Sequence, residues 1–145
     1  MTKKNENINF QIKLYGLNKY FIDLVKLIEI GRLPKVLMLT GKKGQGKFTL
    51  THHLLSYFFD KKHYDLKQSI ILENNKIFLN IKENTNPNII YYKCADKNVK
   101  IEDIRKLRTN LQKSSMNNLN RFIIFDDVEG LNENCVNALL KTIEE

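Results

Sequence analysis

Hydrophobic residues along this chain follow two patterns, helical spacing and short continuous runs. Helical spacing occurs in four segments: Leu17–Ile30, Lys47–Phe59, Ile101–Leu111 and the stretch that begins near Glu133. Continuous apolar runs occur in three segments: Val36–Thr40, Ile89–Tyr92 and Phe122–Phe125. A short run without alternation is typical of a parallel strand that is covered on both faces. The order helix, β, α, β, α, β, α predicts an α/β three-layer domain with a parallel sheet.

The ends of the predicted elements carry capping and turn signals. Gly31 follows the first helix as a C-cap residue, and Asn132 precedes the last helix as its N-cap. The last helix is expected to turn four apolar side chains inward: Val136, Leu139, Leu140 and Ile143. Two polar stretches, Asn84–Asn88 and Ser114–Asn120, predict a turn and a loop. The segment between the second helix and this turn has two possible structures. Ser69–Leu72 and Lys76–Ile81 either pair as a hairpin across Asn74-Asn75 or form a frayed helix.

A glycine-rich segment follows the first apolar run and matches most of the phosphate-binding pattern G-x-x-x-x-G-K-[ST]. Its glycines permit positive φ angles, so that backbone N–H groups can face phosphate oxygens. Lys47 would meet the β- and γ-phosphates at the positive end of the following helix. Phe48 stands where a hydroxyl should hold Mg²⁺, and Thr49 is rotated from that direction by about 100°. The candidate nucleotide-binding residues are Gly41, Lys42, Lys43, Gly44, Gln45, Gly46, Lys47, Phe48 and Thr49.

Two acids end the third apolar run. A carboxylate at the carboxyl edge of a parallel sheet lies where ligands of such sheets bind, so Asp126 is the candidate Mg²⁺ ligand, directly or through water. ATPases of the AAA+ type commonly have Glu at the next position to orient the attacking water. Here the candidate catalytic residue is Asp127, which is one methylene shorter. Misplacement by about 1 Å can lower the rate on the order of a hundredfold.

Charge and cysteine content change this interpretation little. The formal net charge is +8, but the lysines are scattered, and high Lys, Asn and Ile together fit an AT-rich genome better than a nucleic-acid tract. Tyr91-Tyr92 is interpreted as part of a half-buried strand, because base-stacking platforms need a solvent-facing sheet.

Cys94 and Cys135 are not a CxxC pair, which is typical of a reduced, cytoplasmic protein. No signal peptide or membrane-spanning run is present in the sequence.

Two segments near the end resemble bacterial DNA polymerase III clamp-loader subunits of the AAA+ family. Asp126–Asn132 is similar to their Walker-B segment, and Asn137–Glu145, with the sequence NALLKTIEE, is similar to the following helix. Gly31–Pro34 and Ile101–Leu107 also resemble that family. The resemblance implies a partial AAA+ P-loop domain over residues 1–145, incomplete at the C-terminus, with the lid and collar domains absent. Such a sheet would lack its central strand, and we expect marginal stability; a truncated gene or a fragment is the simplest explanation.

Within that family, Phe48 and Asp127 are more similar to delta-prime subunits than to tau/gamma subunits. This implies a subunit that helps to load the sliding clamp on primed DNA together with tau/gamma and delta. ATP and Mg²⁺ are possible cofactors of a degenerate site, with weak or absent ATPase activity. No zinc is expected, because no cysteine lies between Gly41 and Lys93. The alternative is an active ATPase of tau/gamma type, and a small-molecule kinase or GTPase is disfavoured because no substrate or base motif is present.

Overall fold

The computed structural model describes residues 11–82, 85–95, 98–112 and 120–144. The chain divides into two compact units, Met1–Thr85 and Asn86–Glu145, and each has its own hydrophobic cluster. The single partial AAA+ domain over residues 1–145 therefore stays a prediction. Within the described ranges, no helix is both long enough and apolar enough to cross a bilayer.

The unit Met1–Thr85 is mainly helical. Its elements are α1 (Asn18–Glu29), α2 (Lys47–Phe59), β1 (Tyr64–Asp65), β2 (Ile70–Ile71) and α3 (Lys76–Lys82). The core lies between α1 and α2, where Phe21 is fully buried and makes an edge contact with the ring of Tyr57. The helical spacing predicted both helices correctly, and Gly31 ends α1 with a φ of 66°.

Residues Val36–Thr40 do not form the strand that their apolar run predicts. They carry no strand assignment, and the exposed fractions of Val36, Leu37 and Met38 are 53%, 43% and 73%. A strand is stabilised by the amide and carbonyl groups of a neighbouring strand, and no described strand pairs with this segment. The predicted first strand of the sheet is therefore wrong for this structure.

The segment for which the sequence allowed a hairpin or a helix contains both a helix and a short strand pair. Residues Lys76–Lys82 form α3, whereas Ile70–Ile71 pairs antiparallel with Tyr64–Asp65 and not across Asn74-Asn75. The hairpin alternative is therefore wrong, and the helical alternative is confirmed for residues 76–82. Asn75 begins this helix, because its Oδ1 accepts the N–H of Phe78 at 3.0 Å.

We expect Asn75→Ala to destabilise this unit by about 2 kcal/mol. Asn75 is fully buried, and its Nδ2 lies 3.2–3.4 Å from the carbonyl oxygens of Ser56, Asp60 and His63. Alanine removes both the helix cap and the donor that these three carbonyls share. Urea denaturation measures the loss, and Asn74→Ala, at an exposed neighbouring position, is the matched control. Equal effects of the two substitutions would contradict the role of Asn75.

The unit Asn86–Glu145 is an α/β arrangement with a small parallel sheet. Its elements are β3 (Ile89–Lys93), α4 (Ile101–Gln112), β4 (Phe122–Asp126) and α5 (Glu133–Glu144). The strands pair in parallel, with Ile89 opposite Phe122 and Lys93 opposite Asp126. The predictions of an α/β fold and of a parallel sheet are confirmed for these two strands. The three-layer P-loop architecture stays a prediction.

The last helix turns inward only part of the face that its pattern predicts, because the prediction is confirmed for Leu139 and is wrong for the other three residues. Val136, Leu140 and Ile143 are exposed, whereas Cys135 is fully buried and Leu139 packs against the core of this unit. Both sets of residues have helical spacing, and the Cys135 thiol donates to the carbonyl of Val99 at 3.5 Å. The N-cap prediction is confirmed, because Asn132 Oδ1 accepts the N–H of Cys135 at 2.9 Å. Of the predicted loop Ser114–Asn120, residues 114–119 lie outside the described residues, as does Asn84 of the predicted turn.

Candidate functional site

The glycines of the candidate phosphate loop adopt the backbone conformations that the motif requires. The φ angles are 148° at Gly41, 83° at Gly44 and 83° at Gly46. Gly46 is the N-cap of α2, and its carbonyl accepts the N–H of Leu50 at 2.8 Å. Because L-residues rarely adopt such angles, the tight turn at the start of α2 depends on these glycines.

Lys47 is folded back onto its own loop. Its Nζ donates hydrogen bonds to the carbonyl oxygens of Gly41 at 2.8 Å and Lys42 at 3.0 Å. The ammonium group that would meet a phosphate is therefore engaged by two loop carbonyls. A ligand would have to replace both hydrogen bonds before it gained the charge of Lys47.

Gln45 forms two hydrogen bonds with Lys42 in the same loop, at an exposed position. The backbone N–H of Lys42 donates to Gln45 Oε1 at 2.8 Å, and the N–H of Gln45 donates to the carbonyl of Lys42 at 3.3 Å. A Cβ added at Gly41 would overlap Gln45 Oε1, so the side-chain amide lies directly against that glycine. One backbone donor of the loop is thus satisfied by a side chain of the chain itself.

The position after the lysine offers no oxygen ligand. Phe48 is half-buried, with its ring centroid 6.3 Å from that of His52 and the two planes 26° apart. Thr49 is also half-buried on α2. The hydroxyl of Thr51 donates to the carbonyl of Lys47 at 3.1 Å, within the helix. Lys43 and Gly44 complete the loop at exposed positions.

Asp126 is held by a tyrosine on the neighbouring strand. The hydroxyl of Tyr91, in β3, donates to Asp126 Oδ2 at 2.6 Å. Burial, and then the Asp126 carboxylate, raise the pKa of Tyr91 far above its ordinary value, so the phenol stays protonated as the donor. On the opposite face Tyr92 stacks on Phe125, with centroids 5.1 Å apart and planes 10° apart. The interpretation of Tyr91-Tyr92 as a half-buried strand is confirmed.

Asp127 begins a tight turn directly after β4. Its φ of 51° is left-handed, and its carbonyl accepts the N–H of Gly130 at 2.8 Å. The turn Val128–Gly130 is a single 3₁₀ turn that leads into α5. Asp and Asn tolerate this backbone conformation better than most residues, which gives Asp127 a structural reason to be present.

Binding of Mg²⁺ at the candidate site stays a prediction, and the described residues bring few oxygen ligands to it. Phe48 has no oxygen, one oxygen of Asp126 already accepts a hydrogen bond, and no three His, Cys, Asp or Glu side chains cluster in the described part of the chain. Mg²⁺ requires several oxygen ligands in near-octahedral geometry. The loop belongs to the unit Met1–Thr85 and the two acids to the unit Asn86–Glu145, so each half of the site is described by itself. The expectation of no zinc stays a prediction.

Sequence reasoning missed the roles of two side chains, those of Gln45 and Tyr91. Gln45 occupies a variable position of the loop motif, which carries no expectation for its side chain. A signal for Tyr91 was present, because it lies two residues before the end of its strand and alternate residues of a strand share a face. Only the strand register shows that this face also carries Asp126.

Comparison with known proteins gives one family. A family model described as "DNA polymerase III, delta subunit" matches residues 16–145. No curated protein matches the chain.

Proposed function

The chain belongs to the DNA polymerase III, delta subunit family, and from this premise we propose that it is a clamp-loader subunit of the delta-prime type. In this proposal it supports assembly of the loader and does not itself hydrolyse ATP. The observation that carries the proposal is Phe48, which stands where the motif needs a hydroxyl for Mg²⁺. The hydrogen bonds from the Lys42 N–H to Gln45 Oε1 and from Lys47 Nζ to two loop carbonyls are compatible with it.

The proposed partners follow from the same premise. They are the tau/gamma and delta subunits, the sliding clamp and primed DNA, which the subunit would reach through the assembly in the cytoplasm. The retained glycine conformations leave a loop that can still accept a phosphate if Lys47 is released. ATP bound without turnover is therefore compatible with this function, with Asp126 and Asp127 contributing structure and not catalysis.

We expect Lys47→Ala to leave clamp loading by the complete loader close to the wild-type rate. The reason is that Phe48 supplies no hydroxyl for Mg²⁺, so in this proposal no phosphate is transferred at this loop for Lys47 to stabilise. The measurement is the rate of clamp loading on primed DNA by loader assembled with the variant subunit. Lys43→Ala is the matched control, since it removes the same charge from an exposed position of the same loop.

The alternative, an active tau/gamma-type ATPase, predicts a different result. There Lys47 would stabilise the transferred phosphate, and its loss would lower the rate by at least about a hundredfold. Such a loss with Lys47→Ala but not with Lys43→Ala would contradict the delta-prime proposal. ATP hydrolysis by the purified wild-type subunit at a rate typical of AAA+ enzymes would contradict it as well.

A further inference from the structure

Tyr91 and Asp126 lie on the same face of the parallel strand pair. Tyr91 is aligned with Ile124 and Lys93 with Asp126, and residues two apart in a strand point to the same side. Tyr92 and Phe125 stack on the opposite side, which fixes this assignment. The hydroxyl of Tyr91 therefore reaches along its own face toward the carboxyl end of β4, where it donates to Asp126 Oδ2 at 2.6 Å.

We propose that Tyr91 is a positioning residue that reserves the Asp126 carboxylate and keeps divalent cations from binding there. This inference rests on the proposed non-hydrolysing function and supplies a physical cause for it. The bond has an ionised acceptor, which places it among the stronger hydrogen bonds in proteins. It is also partly buried, so water competes with it less than at an exposed position.

The hydrogen bond between Tyr91 and Asp126 disfavours cation binding at the Asp126 carboxylate. A cation must either displace the phenol from Oδ2 or bind Oδ1 alone. Mg²⁺ gives up its water ligands reluctantly and is usually held by carboxylates together with further oxygens. The described residues bring no third acidic or imidazole ligand to Asp126. One remaining carboxylate oxygen is therefore a weak ligand, and removal of the phenol is the change that would strengthen it.

The test is a Mn²⁺ titration of wild-type protein and Tyr91→Phe, followed by electron paramagnetic resonance. We expect the variant to bind Mn²⁺ at least about tenfold more tightly, because loss of a hydrogen bond to a charged acceptor corresponds to a change of that size. The gain should disappear in the double variant Tyr91→Phe/Asp126→Asn. Tyr92→Phe is the matched control: it makes the same change one residue away, on the face that stacks with Phe125.

Two results would overturn the proposal. One is equal Mn²⁺ affinity of Tyr91→Phe and wild type, and the other is a gain that survives Asp126→Asn. If circular dichroism shows that Tyr91→Phe does not fold, the proposal is tested on the wild type by nuclear magnetic resonance with added Mn²⁺. We expect no paramagnetic broadening centred on Asp126 when Mn²⁺ is added, and such broadening with Tyr91 in place would overturn the inference. ATP hydrolysis by the wild type would contradict the proposed function, whereas these cation measurements address Tyr91 alone.

Discussion

Gly130→Ala is expected to destabilise the unit Asn86–Glu145 by about 3 kcal/mol or more. A Cβ added at Gly130 would overlap the carbonyl oxygen of Cys94 and lie 2.7 Å from its carbonyl carbon. It would also lie 3.1 Å from the nitrogen of Ala95. All three are backbone atoms just after β3, so no side-chain rotation can make room, and the turn or the strand end must move. Urea denaturation followed by circular dichroism measures the change.

The control for this prediction is Gly31→Ala. Gly31 has a positive φ of 66°, but nothing lies within 4 Å of a Cβ added there. Alanine at Gly31 should therefore show only the cost of left-handed backbone, about 1–2 kcal/mol. If Gly130→Ala were no more destabilising than Gly31→Ala, the close approach of the turn to Cys94 would be contradicted.

Acidification from pH 7 to pH 4 is expected to destabilise the unit Met1–Thr85 by about 3 kcal/mol through His52. Burial, with a smaller contribution from the neighbouring His53, lowers the pKa of His52 from 6.5 to about 4. His52 is 3% exposed and packs edge-on against the ring of Phe78. The pKa of His53 is lowered as well, chiefly by burial. The folded unit therefore holds these imidazoles neutral at pH values where the unfolded chain would protonate them.

The direction follows from proton binding in the two states. Between pH 6.5 and pH 4 the unfolded chain binds more protons at His52 than the folded unit does, so acid favours unfolding. The contribution of His52 is complete above pH 6.5 and is lost as the pH falls toward 4. The measurement is the free energy of unfolding as a function of pH for wild type and His52→Gln. The variant should show a shallower slope over this range, with the remainder due to His53, and an unchanged slope would contradict the assignment.

Local spacing predicted the helices well because each helix satisfies its own hydrogen bonds. The predicted bounds of α2, Lys47–Phe59, agree with the structure, and Leu50, Leu54 and Leu55 are buried as expected. Strands depend on partners from elsewhere in the chain, which an apolar run does not specify. The runs Ile89–Tyr92 and Phe122–Phe125 pair as parallel strands, whereas Val36–Thr40 has no strand partner among the described residues.

Sequence patterns also did not predict the buried face of α5 or the side-chain contacts of the candidate site. Cys135 and Val136 are adjacent, and helical periodicity alone did not decide which of them turns toward the core. For the candidate site, the glycine types predicted the positive φ angles, because only the absence of a Cβ makes them easy. The bonds of Gln45 and Tyr91 are side-chain contacts that no motif specifies.

The exposed apolar stretch Val36–Met38 has a consequence for handling the protein. An exposed, uncharged apolar segment that pairs with no described strand can template β-aggregation between molecules. Here the stretch is flanked by the exposed lysines Lys35, Lys42 and Lys43. Charges at such flanking positions act as gatekeepers, since stacking of identical chains would bring like charges together. The colloidal stability of concentrated samples therefore depends on these ammonium groups, and it should fall at high ionic strength, where their repulsion is screened.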